Sequence, residues 1–383
     1  MKPLRLLLSV CLLACLSAHA FAQDAIKYLG YRGGIDIGAQ GVKISVMGFY
    51  LKNDKLRYRL VYERQESVGL VKGMETNGGK LRTSDIQDAI SFIQEMLEDA
   101  KTVYKLSNKD FIMYSSSGIN MAANISDLDA YAQKTLGMAV NTSLTTKAES
   151  AYGARATMDR EDFDSAILVD VGGGSSKGGI LQKYVAADGK EKYTFKSFNL
   201  DFGARRLSER VAKRTTNFDD YQKVLKTVVE DTLSILIRSS LNDNPAIQSD
   251  KRNIAYVIGG AAYQFITWLY PEKVQEEIVE FKYSDLQDFD YMMRRENGWK
   301  SFQTRTFDNI ADANLRQLMI KDNEKAAQKI YNRDACLAGI SLVMQILKEI
   351  GSPEKKTFYF SRDAYWVNVL IYDAFKNDFL KRS

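Results

Sequence analysis

Three observations predict an α/β protein built from two structurally duplicated domains. Strand-like runs alternate with segments of helical periodicity along the chain. Two loops far apart in sequence repeat one pattern, each ending an apolar strand and opening another. They are Asp36-Ile37-Gly38-Ala39-Gln40-Gly41-Val42-Lys43 and Asp170-Val171-Gly172-Gly173-Gly174-Ser175-Ser176-Lys177. Both give Asp, a β-branched residue, Gly, and a Lys seven positions after the Asp. Finally, 383 residues at 45% hydrophobic and 26% charged suffice for two ordinary cores.

The elements follow in order. Gly34–Lys52 and KLRYRLVYERQES alternate around a polar turn and predict a hairpin. Ser84–Leu106 carries Ile86, Ile90, Ile93, Met96 and Leu97 at helical spacing, with Ser84 as its expected N-cap. FIMYSSSG reads as a strand entering a hydroxyl-rich turn, and DLDAYAQKTLG as a short helix closed by Gly137. The pattern then restarts with Ser165–Val185 as strand, glycine loop and strand. FNLDFGARRLSERV leads into a helix, and Asp219–Ser240 is a long one with Leu225, Val229, Leu233 and Leu236 on one stripe. NIAYVIGGAAYQF is a buried strand passing through a glycine pair into a helix. DACLAGISLVMQILKEIG is an apolar helix, and KKTFYFS the final strand expected.

The first residues read as a targeting segment. Lys2 and Arg5 precede an apolar run from Leu6 to Leu16, followed by Ala18, Ala20 and Ala22. Cleavage after Ala22 or Ala20 would release a periplasmic or secreted protein. Leu12-Leu13-Ala14-Cys15 is a second reading, giving a lipid anchor at Cys15. The expected division is a signal peptide over 1–22, a first domain over 23–158 and a second over 159–383. Removing the leader takes His19, the single histidine, and leaves Cys336 as the one cysteine. Histidine catalysis, a cysteine zinc site and an internal disulfide are then all excluded. The net charge of +5 is a mild basic excess, compatible with an anionic substrate and also with an ordinary mixed-charge surface. No basic stripe interleaved with aromatics argues for duplex nucleic acid.

Three successive glycines after a buried strand are costly in backbone entropy, so something must need the backbone bare at residues 172–174. A tight turn or a closely approaching anion would each do so. At this point the chain resembles the actin-like ATPase superfamily, and more narrowly the exopolyphosphatase/guanosine pentaphosphatase (Ppx/GppA) family. GIDIGAQGVKI sits where that family has its first phosphate loop and VDVGGGSSKGG where it has its second. SSSGINMAANISDLDAYAQKTLG, TTKAESAYGA, FNLDFGARRLSER and VIGGAAYQF follow the family's order between Gly34 and Phe265.

The resemblance implies a two-domain actin-like (ribonuclease H-like) fold with an interdomain cleft, and Mg²⁺-dependent hydrolysis of a phosphoanhydride. Gly38, Ala39, Gln40 and Lys43 in the first loop, with Gly172, Gly173, Gly174, Ser175 and Ser176 in the second, are its implied phosphate-binding residues. Asp36 and Asp170 are its implied Mg²⁺ ligands, directly or through water, and Glu149 its catalytic residue acting on the attacking water. Partners expected are polyphosphate or a nucleotide, with the lipid anchor and a homodimer as alternatives. The chain also departs from the family. Ala39-Gln40-Gly41 replaces hydroxyl-bearing residues, Lys177 stands in place of a Glu, Asn120 in place of an Arg, and Glu149 is nearly alone where the family has several acids. An apyrase-like nucleotidase and a phosphate-ligand-binding scaffold without turnover are the rival readings.

Overall fold

Alternating side chains set the first sheet of the computed structural model, which describes residues 26–39, 41–52, 55–249, 251–362 and 365–381. The leader, with Cys15 and both cleavage positions, lies outside the described residues, as does Gln40. Strands β1 (Lys27–Ile37), β2 (Gly41–Lys52) and β3 (Lys55–Ser67) form an antiparallel meander. Strand β4 (Phe111–Ser115) joins parallel to β1, giving the order β3-β2-β1-β4. Ile35, Ile37, Val42, Ile44 and Val46 are fully buried in one core with Ile86, Ile90 and Ile93 of the Thr83–Tyr104 helix. That helix begins one residue before the expected cap. Arg82 is its N-cap residue and makes no side-chain cap bond. Arg82 pairs instead with Asp85 at 2.8 Å, so an ion pair over the first turn stands where the Ser84 hydroxyl was expected. Gly137 does close the Ile125–Leu136 helix, at φ 65°.

The second sheet repeats the topology and extends it. Strands β5 (Ala166–Val171), β6 (Ser176–Val185) and β7 (Glu191–Leu200) form the meander, and β8 (Ile254–Ile258) lies parallel beside β5. β10 (Thr357–Ser361) continues parallel, and β9 (Ile278–Phe281) closes the edge antiparallel. The repeat of glycine loops in the sequence is thus a repeat of whole sheets, and the two-domain α/β architecture stands. One face of this sheet buries Ile167, Val169 and Val171 against the Arg333–Ile350 helix and its neighbours, with Cys336 inside that core. The long helix expected over 219–240 runs from Phe218 to Asn242, with one π-helical stretch at Val228–Leu233.

Two helices cross between the lobes. The Thr146–Thr157 helix, before the expected division, covers the other face of the second sheet, where Ala154 packs with Leu168, Leu181 and Phe195. The Trp366–Leu380 helix, which follows the strand expected to be last, returns to the first sheet. Its Ile371 and Phe379 bury Met47 and Phe49, the residues of β2 that alternation turns away from the first core. Gly34 faces the same helix, and a Cβ there would lie 2.6 Å from Ile371. The crossing helices also hold each other through Trp366, Leu370 and Tyr152 and through an Arg155–Asp373 ion pair at 2.7 Å.

Phe379 is 1% exposed, with its ring 4.6 Å from that of Phe49 and the Arg32 guanidinium 4.9 Å from its centroid. Phe379→Ala should therefore cost about 3–5 kcal/mol of unfolding free energy in a urea titration. A loss below about 1 kcal/mol would show that the returning helix does not seal this face.

Candidate active site

Each repeated loop ends a strand that pairs antiparallel with the next, and that pairing decides where its charged residues go. Asp36 lies directly opposite Lys43, and Asp170 directly opposite Lys177. Cross-strand partners share a sheet face, so each loop presents one carboxylate and one ammonium together. The turns are also alike. Gly38 N–H donates to the Gly41 carbonyl at 2.8 Å, and Gly172 N–H donates to the Ser175 carbonyl at 3.1 Å. Both loops line a cavity of roughly 270 Å³. Asp36, Gly38, Ala39, Lys43, Glu149, Asp170, Gly172, Gly173, Gly174 and Ser175 all border it, and Lys177 joins them.

Ser176 does not border it. Alternation turns its side chain away, and its hydroxyl donates to the Phe202 carbonyl at 2.6 Å. Asn120 is likewise structural, since its amide donates to the carbonyls of Ser115 and Leu144. Asn124 brackets Leu81, accepting from its N–H and donating to its carbonyl. Gly259 and Gly260 border the cavity, yet close packing explains them. A Cβ at Gly259, whose φ is 104°, would lie 2.2 Å from the Val171 carbonyl oxygen, and one at Gly260 would lie 2.6 Å from the Tyr331 ring.

The three glycines of the second loop answer two demands. The carbonyls of Gly172 and Gly173 accept from the N–H groups of Ala204, Arg205 and Arg206, capping the start of the Ala204–Ala212 helix. Among the described residues, no backbone carbonyl accepts from the N–H groups of Gly173, Gly174 or Ser175. With the carbonyls drawn toward the helix, those donors remain for an anion in the cavity.

Glu149 stands in the first turn of its helix, whose N-cap Thr145 accepts from Ala148 N–H at 3.2 Å. It is 4% exposed and engaged at both oxygens. Ser117 N–H, in the turn after β4, donates to Oε2 at 2.6 Å, and the Lys177 ammonium lies 2.6 Å from Oε1. Lys177 also reaches Asp170 Oδ2 at 3.4 Å. Burial alone pulls the Lys177 ammonium down, but Glu149 and Asp170 outweigh it and hold the group above the usual lysine range. Burial raises Asp170, with Lys177 opposing. Asp36 is pushed up to about 7, chiefly by burial, with Lys43 opposing and Glu149 adding to the rise. The Lys43 ammonium sits 2.9 Å from the centroid of the Tyr365 ring.

The seven-residue interval from Asp to Lys was the available signal for these cross-strand pairs. Nothing in the sequence marked Tyr263, Lys325, Tyr331 and Arg362, which also border the cavity. Arg362 Nη1 pairs with Asp322 at 3.1 Å, while its Nε and Nη2 are buried without a protein partner.

The expected Mg²⁺ ligands can be tested on this donor set. Asp36 Oδ1 is buried without a partner, as a metal ligand would be. Glu149 and Asp170, however, share the Lys177 ammonium, and no group of three acids suited to a metal occurs among the described residues. Two carboxylates that already share an internal ammonium do not fit a resident divalent cation.

The Asp36 shift has a defined sign. Below pH 3.8 the group is protonated folded or unfolded and contributes no difference. As pH rises toward about 7 the unfolded chain releases the proton first, so stability falls, and above that the loss is complete. Asp36→Asn should therefore stabilise the chain at pH 8 by up to about 4 kcal/mol, with the gain vanishing by about pH 3. Urea midpoints across that range check this; a pH-independent difference would contradict the assignment.

No protein-family model and no curated protein matches the sequence. Solved structures do match. A Ppx/GppA family member from Aquifex aeolicus is 18% identical, over 92% of this chain and 99% of that one, at a TM-score of 0.60. An exopolyphosphatase-like protein is 14% identical, over 90% and 97%, at 0.65. An exopolyphosphatase from Cytophaga hutchinsonii is also 14% identical, over 90% and 97%, at 0.56. Across nine-tenths of its length, this chain has the two-lobed, actin-like fold of solved Ppx/GppA structures.

Proposed function

We propose that the chain is an exported phosphoanhydride hydrolase that releases terminal phosphate from polyphosphate or a nucleoside polyphosphate. One observation carries the reading: two duplicated loops, each pairing an Asp with a cross-strand Lys, converge with Glu149 on a single cavity. The N–H groups of Gly173, Gly174 and Ser175 would bind the oxygens of the phosphoryl group. Lys43 and Lys177 would offset its charge. Glu149, held from both sides, would orient the attacking water in line with the scissile bond. Lys325 and Arg362, which also border the cavity, would supply further positive charge for an extended polyanion. Export rests on the order of the leader sequence.

One observation favours a second reading, a phosphate-ligand-binding scaffold without turnover. Both oxygens of Glu149 are already engaged, one with the Ser117 N–H and the other with an ammonium, so an attacking water would have to compete with these contacts. The apyrase-like alternative calls for an aromatic pair clamping a base, and the nearest pair on the cavity wall is tilted. Tyr263 and Phe360 lie 6.4 Å apart at 53°.

Phosphate release by the purified chain separates these readings. Polyphosphate, ATP, ADP and guanosine pentaphosphate would be tested in parallel, with Mg²⁺ and in chelator. Hydrolysis should appear with at least one of them and fall at least about hundredfold in Glu149→Gln. Binding of a substrate with no phosphate released in either condition would sink the hydrolase and leave the scaffold.

A further inference from the structure

We infer that Lys177 is a built-in cation: it occupies the carboxylate pair Glu149–Asp170 in place of a divalent metal, so the cavity receives an anionic phosphoryl group without one. The inference rests on the reading of the cavity as a phosphoryl site, but its geometry stands apart from any turnover.

Three features argue for it. The ammonium lies 2.6 Å from Glu149 Oε1 and 3.4 Å from Asp170 Oδ2, in the space between two acids that come from different elements. A magnesium ion needs those same oxygens at about 2.0–2.1 Å, and it cannot share them with a positive charge. The lysine is also not readily displaced. It is 4% exposed and anchored on β6 opposite Asp170, so leaving the acids would strand a buried charge. Finally, the device is duplicated. Lys43 holds the same register opposite Asp36, so each phosphate loop brings its own ammonium. Two fixed charges, one per lobe, would meet the incoming phosphoryl oxygens as point-charge donors. Asp36 Oδ1 is a buried carboxylate oxygen without a protein partner, and by itself it supplies one ligand to an ion that seeks several.

The test reads the metal directly. Chelator-treated full-length protein would be titrated with Mn²⁺ alone, with the free ion followed by electron paramagnetic resonance. The wild type should show no saturable site below about 1 mM, and Lys177→Glu should gain one. Lys177→Gln, a shorter side chain that keeps N–H donors without the charge, serves if the glutamate variant does not fold. In parallel, tripolyphosphate binding in chelator would be measured by calorimetry. The wild-type affinity should change less than about threefold on adding Mg²⁺, whereas the variant should bind tripolyphosphate only with the metal present. A wild-type Mn²⁺ site that disappears in Asp170→Asn would overturn the inference. So would a folded Lys177 variant that gains no site, or wild-type tripolyphosphate binding that requires Mg²⁺. Because the Mn²⁺ titration needs no hydrolysis, a chain without turnover but with this metal behaviour would refute the hydrolase and leave the built-in cation intact.

Discussion

Three carboxylates meet where the two lobes face each other, and they cannot all be ionised in a buried cavity without charge to offset them. Asp36, Glu149 and Asp170 come from β1, a crossing helix and β5, and the lysines at 43 and 177 are the charges that make their meeting tolerable. Breaking one partner out of such a cluster costs far more than the cluster contributes, because it leaves an uncompensated buried charge. The bond from Lys177 to Glu149 thus joins the second sheet to a helix that the first lobe's Ser117 N–H also grips. The site is therefore also part of the contact between the lobes.

That arrangement explains why the crossing helices matter to the chemistry. The Thr146–Thr157 helix covers a face of the second sheet, and so Glu149 moves with β5 and β6 although it precedes them in the chain. The last helix seals the first sheet and packs on the Glu149 helix, so both lobes are fastened to the element that carries the acid. The Ser117–Glu149 hydrogen bond therefore links the first lobe to a helix packed on the second sheet, whereas Lys177 and Glu149 both belong with that second sheet.

Much of this was legible in sequence because it is local. A strand, a short loop and a second strand fix their register through the turn, and so the spacing from Asp36 to Lys43 and from Asp170 to Lys177 already implied neighbours on one face. Gly137 as a helix stop and the glycine pair at 259–260 as a strand-to-helix passage were readable for the same reason. What was not legible depends on contacts between distant segments. The partnership of Lys177 with Glu149 joins two helix and strand positions that no periodicity relates, and the residue looked only like a departure from the family pattern. The helix returning at Trp366–Leu380 carried no signal of which sheet it would cover. Ser176 was assigned with its loop, but it begins β6, where alternation sends every second side chain away from the cavity.

The bare backbone at residues 172–174 has a physical account that neither of the simple alternatives supplied. Gly203 must approach so closely that a Cβ on it would sit 2.3 Å from the Gly172 carbonyl oxygen. A Cβ on Gly174 would lie 3.2 Å from the Gly118 carbonyl of the other lobe. One side of the loop therefore starts a helix and the other touches the opposing lobe, which leaves the N–H edge as the part free to face the cavity. The turn and the anion site are the same solution: carbonyls committed to structure orient the donors toward ligand. A side chain at Gly174 would have to shift the Gly118 carbonyl by a few tenths of an ångström, so the donor edge and the lobe contact would be disturbed at the same point.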